Sequence, residues 1–131
     1  MGRNLKDANF IATTALPAAG ASNASASFDL GAGAFKPEEM ELQVILPATP
    51  NLADTKNVAL TIKDSADNVT FTAIAGLSTI VVTGSGGAGA AAVTETIRLP
   101  STTRQYIQLA QAVDASGGTN TGVSTTFQLL F

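Results

Sequence analysis

The chain has 131 residues, of which 45% are hydrophobic, 5% aromatic and 13% charged, with a net charge of -3. That length favours one domain that buries roughly two-thirds of the unfolded chain's surface. Seven Lys and Arg in all argue against nucleic-acid binding, which needs a basic face to displace counterions. With no histidine and no cysteine, the sequence holds no disulfide, thiolate metal site or imidazole base, and its redox compartment is left open.

Charged residues stand at about half their usual share. Surface polarity therefore has to come from Thr, Ser, Asn and Gln. A surface so sparsely charged suits a subunit of an assembly, because little like-charge repulsion opposes packing. It suits a Thr-rich secreted β-domain equally well. The start, MGRNLKDANF, lacks the apolar core of a signal peptide, and no run approaches the ~20 apolar residues of a membrane-spanning helix. A soluble protein without a cleaved export signal is expected. Met1-Gly2 does not announce myristoylation, since Lys6 stands where Ser or Thr is wanted.

In chain order, residues 1–21 read as an arm with a few apolar side chains (Leu5, Phe10, Ile11, Leu16) ahead of Pro17. Phe10 and Ile11 imply docking, on the chain's own sheets or on a neighbour. From Ser22 a period of two begins, with Ala24, Ala26, Phe28 and Leu30 on one face. Gly31 to Gly33 breaks it, and Lys36-Pro37-Glu38-Glu39 turns the chain. Met40, Leu42, Val44 and Leu46 share the face of the next strand, and Pro47 and Pro50 bound a loop.

Asn57–Ala75 carries the strongest pattern. Val58, Leu60 and Ile62 alternate with Ala59, Thr61 and Lys63, then Asp64 to Asn68 form a polar turn. Val69, Phe71 and Ala73 resume the alternation, so a β-hairpin is expected that ends or bulges near Ala73. Four more strands follow: 78–83, 93–99, 104–112 and 123–131. In the last, Val123, Thr125, Phe127, Leu129 and Phe131 share a face, and an apolar end implies a strand fixed in a sheet or under a neighbour. About eight short strands and no long helical period give an all-β antiparallel sandwich or jelly roll, residues 22–131, with an extended N-terminal arm.

Motifs with chemistry are few. Gly84-Ser-Gly86-Gly-Ala-Gly89 matches G-x-G-x-x-G, but β-branched residues follow it and Pro100 comes too soon for a crossover helix. A flexible surface loop is the expectation there. Asp64, Asp67 and Asn68 miss the Ca²⁺-loop pattern and read as turn chemistry. No G-x-S-x-G elbow is present, so no catalytic residue, cofactor or metal is assigned. Asn23 and Asn68 head glycosylation sequons that mean nothing without secretion. Arg104 and Tyr106 share a strand face that would suit a partner's carboxylate, or is an ordinary solvated face.

The Ala/Thr/Ser-rich leader running into SFDLG (27–31), then LQVILP (42–47), VALTIKDSADNVTFTAI (58–74), IRLPSTTRQYIQLAQAV (97–113) and TTFQLLF (125–131) carry a resemblance. Together they cover most of the chain from about residue 20. The sequence resembles the capsid cement, or decoration, proteins of tailed bacteriophages, in the jelly-roll type of short-tailed phages. That resemblance implies a non-enzymatic sandwich on the outer surface of the virion, made in the host cytoplasm. It implies the major capsid protein and sister copies, as dimer or trimer, for partners, with no nucleic acid and no membrane. Leu5, Phe10, Ile11, Arg104, Tyr106, Leu130 and Phe131 are the candidate interface residues. The rival expectation is a carbohydrate- or surface-binding sandwich, which one Tyr and no Trp equip poorly.

Overall fold

The computed structural model describes residues 6–31 and 40–130, with side chains for all of these except residues 6–9. The described residues are all-β. The strands are β1 (Lys6–Ala15), β2 (Ser22–Ala24), β3 (Phe28–Asp29), β4 (Glu41–Leu46) and β5 (Asn57–Ser65). They continue with β6 (Thr72–Ala73), β7 (Ile80–Thr83), β8 (Val93–Arg98), β9 (Tyr106–Val113) and β10 (Ser124–Leu130). Two antiparallel sheets face each other. One runs β1-β10-β4-β8; the other runs β2-β9-β5-β6, with β3 beside β2 on β9 and β7 beside β6 on β5. Treating β2 with β3 and β6 with β7 as single positions leaves eight positions, in the orders 1-8-3-6 and 2-7-4-5.

The core follows the alternation read from sequence. Leu42, Val44 and Leu46 of β4, Phe127 and Leu129 of β10, and Val58, Leu60 and Ile62 of β5 all point between the sheets. Ile107, Leu109 and Val113 of β9 complete the opposite wall. Phe28 spans the gap: its ring stacks on Phe127 at 4.9 Å and 8°, and Phe10 meets its edge at 5.9 Å and 83°. Three rings thus tie β1, β3 and β10 together, an aromatic geometry that adds to simple burial.

Four local expectations change. Residues 6–15, read as part of an arm that docks on the chain's own sheets or on a neighbour, are a full strand of the chain's own sheet; alternation is blurred there because the β1–β10 register shifts between Lys6 and Ile11. The 22–30 run is broken into β2 and β3. Ser25 is buried where Ala24 and Ala26 were expected, and its N–H donates to the Leu109 carbonyl at 2.8 Å while its Oγ accepts from the Leu109 N–H at 3.0 Å. The inward position is thus odd at Ser25 and becomes even only from Phe28 and Leu30 on. The hairpin exists, but β6 is two residues long; Val69 is 80% exposed and Ile74 is the buried anchor. The turn at Lys36–Glu39 lies outside the described residues.

The Gly/Ala tract is the fourth. Instead of a loose loop, residues 84–90 lie against the 49–56 loop: Thr49 and Ala90 exchange both backbone bonds, and Gly87 N–H donates to Asp54 Oδ1 at 2.9 Å. A Cβ on Gly84 would collide with the Leu52 and Ala53 carbonyls, and one on Gly89 with Thr49 and Pro50 backbone. Gly89 also has φ +72°. The glycines permit two backbones to touch.

Two substitutions check this architecture by urea unfolding. Phe127→Ala removes the ring that both sheets share and costs about 3–5 kcal/mol. Gly89→Ala is strongly destabilising, whereas Gly86→Ala, with open space around its Cβ, loses only the positive-φ preference.

Candidate interaction surfaces

The interface residues named from sequence do not gather into one patch. Phe10 is partly buried against the core through Phe28, so its docking partner is the chain's own sandwich. Leu130 is only 5% exposed, paired between Lys6 and Glu41, which removes it from an accessible surface. Tyr106 is half-buried, at the start of β9 opposite Asp29 and Ser65. Ile11, 39% exposed, remains available. Leu5 and Phe131 lie outside the described residues.

Arg104 is a correction of role. It precedes β9 and folds back on Asp64, whose carboxylate is buried at the end of β5. Nε and Nη2 reach Asp64 Oδ1 at 3.1 and 2.8 Å, while the Arg104 N–H donates to Oδ2 at 3.0 Å. Nη2 also donates to the Asp64 carbonyl at 2.8 Å and to Thr72 Oγ1 at 2.7 Å. The fork that would suit a partner's carboxylate already holds one of its own. This cluster locks β5, β6 and the 100–105 turn. Nothing local in the sequence signals a pair 40 residues apart.

The adjacent loop keeps its expected turn character. Asp67 Oδ1 accepts from the Val69 and Thr70 N–H groups at 2.9 and 3.0 Å and from Ser65 Oγ at 2.8 Å. Ser65 Oγ in turn accepts from the Asp67 and Asn68 N–H groups. The carboxylates of Asp64 and Asp67 are therefore both engaged by the protein. The N–H groups of Thr70 and Val69, then the Ser65 hydroxyl, lower the Asp67 carboxyl from 3.8 to about 2. Asp29 is likewise lowered, first by the Gln105 side-chain amide and then by the Gly31 N–H, which fasten the end of β3 to the chain ahead of β9.

What the sheets present outward is more informative than any side-chain cluster. On the β1-β10-β4-β8 sheet, cross-strand rows read Thr13–Thr126–Ile45–Thr94 and Ile11–Gln128–Gln43–Thr96. The Gln128 amide donates to Gln43 Oε1 in the middle of that face. None of these eight residues is ionisable. The opposite sheet shows a trough of about 440 Å³, floored by Ala24, Ala59, Ala110 and Ala112 and flanked by Lys63 and Gln108. Its depth comes from side chains no larger than a methyl group.

The two flanks of the sandwich differ. Along β1 the gap is closed: Asn23 Nδ2 and Gln111 Nε2 both donate to the Ala15 carbonyl, at 2.9 and 3.2 Å, and Phe10 fills the seam. Between β7 and β8 a groove of about 390 Å³ remains, lined by Leu77, Ile80, Val81, Val93, Glu95 and Ile97 among others.

No known protein-family model matches the sequence, and no curated protein sequence matches it. No helix among the described residues is long and apolar enough to cross a membrane.

Two measurements check these local claims. In a double-mutant cycle, Arg104→Ala lowers the melting temperature more in the native background than in Asp64→Asn, because only the first leaves a buried carboxylate unpaired. For Asp67 the folded value lies below the unfolded one, so its stabilisation is complete above 3.8 and is lost as pH falls through about 2. The Val69 and Thr70 amide resonances should titrate together with that low midpoint.

Proposed function

We propose that this chain is a structural cement protein, bound to the outside of a tailed-phage head, where it bridges major capsid subunits and contacts sister copies. The reading is non-enzymatic. The observation that carries it is the pair of uncharged cross-strand rows on the outer face of the β1-β10-β4-β8 sheet, which another protein can cover without stranding an ion; Glu41 and Arg98, paired in the next row, mark the charged border of that patch. Burying a charge is costly unless it is paired; burying these rows requires only hydrogen-bond partners. The 1-8-3-6 and 2-7-4-5 strand orders support reading the sandwich as a jelly roll. They agree with the resemblance to cement proteins in the 58–74 and 97–113 segments. Several weak contacts made at once would give such a small domain avidity on a repeating shell.

The placement of β1 decides how this is tested. Deleting residues 1–16 would strip a strand from β10, so it would report on folding. Charges added to the outer face are the cleaner probe. Ile11→Lys with Thr126→Lys should leave the melting temperature nearly unchanged, while binding to undecorated heads falls at least about tenfold. Equal binding would remove this face from consideration. Electron microscopy of native particles is the wider check: absence of this protein's density from capsid junctions would end the cement reading.

A further inference from the structure

Among the described residues β8 ends its sheet, paired with β4 along one side in an unbroken register from Glu41↔Arg98 to Leu46↔Val93. Sheet edges offer a row of backbone donors and acceptors to any strand that can reach them, and proteins blunt them with proline, lysine, bulges or inward charges. β8, sequence VTETIR, has no proline, no lysine and no bulge against β4. Its inward positions are Val93, Glu95 and Ile97, and they line the groove facing Leu77, Ile80 and Val81 of the other sheet's border. Leu77, Ile80, Val93 and Ile97 are partly buried on the core, and Val81 stands 51% exposed. Backbone edge and apolar groove therefore run side by side, as strand addition requires.

Glu95 is the one ionisable residue among those lining the groove. It lies between Val93 and Ile97, so a strand added to β8 must place a side chain close to this carboxylate. We propose that β8 is a strand-accepting edge whose occupant is an extended segment of another protein, with groove-facing residues that alternate apolar, basic, apolar. Val93 and Ile97 meet the apolar positions and Glu95 meets the Lys or Arg between them. A second copy of β8 does not fit. An antiparallel pair keeps inward residues opposite inward residues, so Glu95 would oppose Val93, Glu95 or Ile97 of the copy, with Arg98 on the other face. Two carboxylates would then share the groove without a cation. Glu95 thus both guards the edge against self-association and selects its partner. This inference stands apart from the capsid reading, and its test needs no shell.

The test titrates the ¹⁵N-labelled full chain with two ten-residue peptides of alternating Thr and Val. One carries Lys, the other Glu, at the centre of the Val face. The Lys peptide should bind about fivefold more tightly or better, in line with opposite against like charge across a strand pair. Shifts should concentrate in residues 77–82 and 93–98. Glu95→Gln should erase the preference and Glu95→Lys should reverse it; Glu95 is exposed, so these variants keep the fold. The proposal is overturned if neither peptide binds, if both bind equally, or if the preference survives in Glu95→Lys. Shifts that map elsewhere, or a concentration-dependent dimer of the native chain through β8, would overturn it too.

Discussion

Phe127 and Phe28 stack at 4.9 Å across the space between the sheets, and most of the molecule's organisation depends on that contact. β10 holds Phe127 between β1 and β4, and β9 holds β3 and with it Phe28. With few aromatics in the chain, a ring pair at this position supplies bulk that Ala, Val and Leu cannot. Phe10 joins the pair from β1, so that flank of the sandwich is filled. Among the described residues the other flank has no such filler. Its opening between β7 and β8 is the counterpart of a core whose largest side chains are gathered on one side.

The sequence made the strands legible wherever one face meets the core and the other meets water. β4, β5, β9 and β10 each alternate as read, because a slip of one residue would turn Leu42, Leu60, Leu109 or Phe127 outward. Legibility failed where backbone geometry outweighed pattern. Ser25 took an inward place through hydrogen bonds with Leu109, which no hydropathy pattern announces. β1 shifts its register against β10 between Lys6 and Ile11, the stretch that leads into the adjacent Phe10 and Ile11. The glycines at 84 and 89 looked like slack and are close contacts, visible only once the 49–56 loop is in place.

The surfaces were harder to read than the core for a related reason. Arg104 and Tyr106 looked like an exposed pair, but the guanidinium is spent on Asp64, a residue assigned to a turn and found buried at a strand end. Leu130 looked like a frayed apolar end and is paired between Lys6 and Glu41. What replaced them is an arrangement spread over several strands. Rows such as Ile11–Gln128–Gln43–Thr96 draw one residue from each of four strands, so no stretch of sequence displays them together. A face of this kind belongs to the sheet and to no single motif.

The strand order also sets a schedule for the ribosome. β1 pairs with β10 and β2 with β9, so the earliest described strands wait for the latest ones before either can be satisfied. At a synthesis rate of ~5–20 residues per second, that wait lasts several seconds. During it the nascent β1 is an unpaired strand. Its sequence, KDANFIATTA, is equipped for the delay: Lys and Asp come first, and Phe10 and Ile11 are the only large apolar residues. A core light in aromatics and an early strand light in hydrophobics suit a chain that must complete itself late without sticking to its neighbours first.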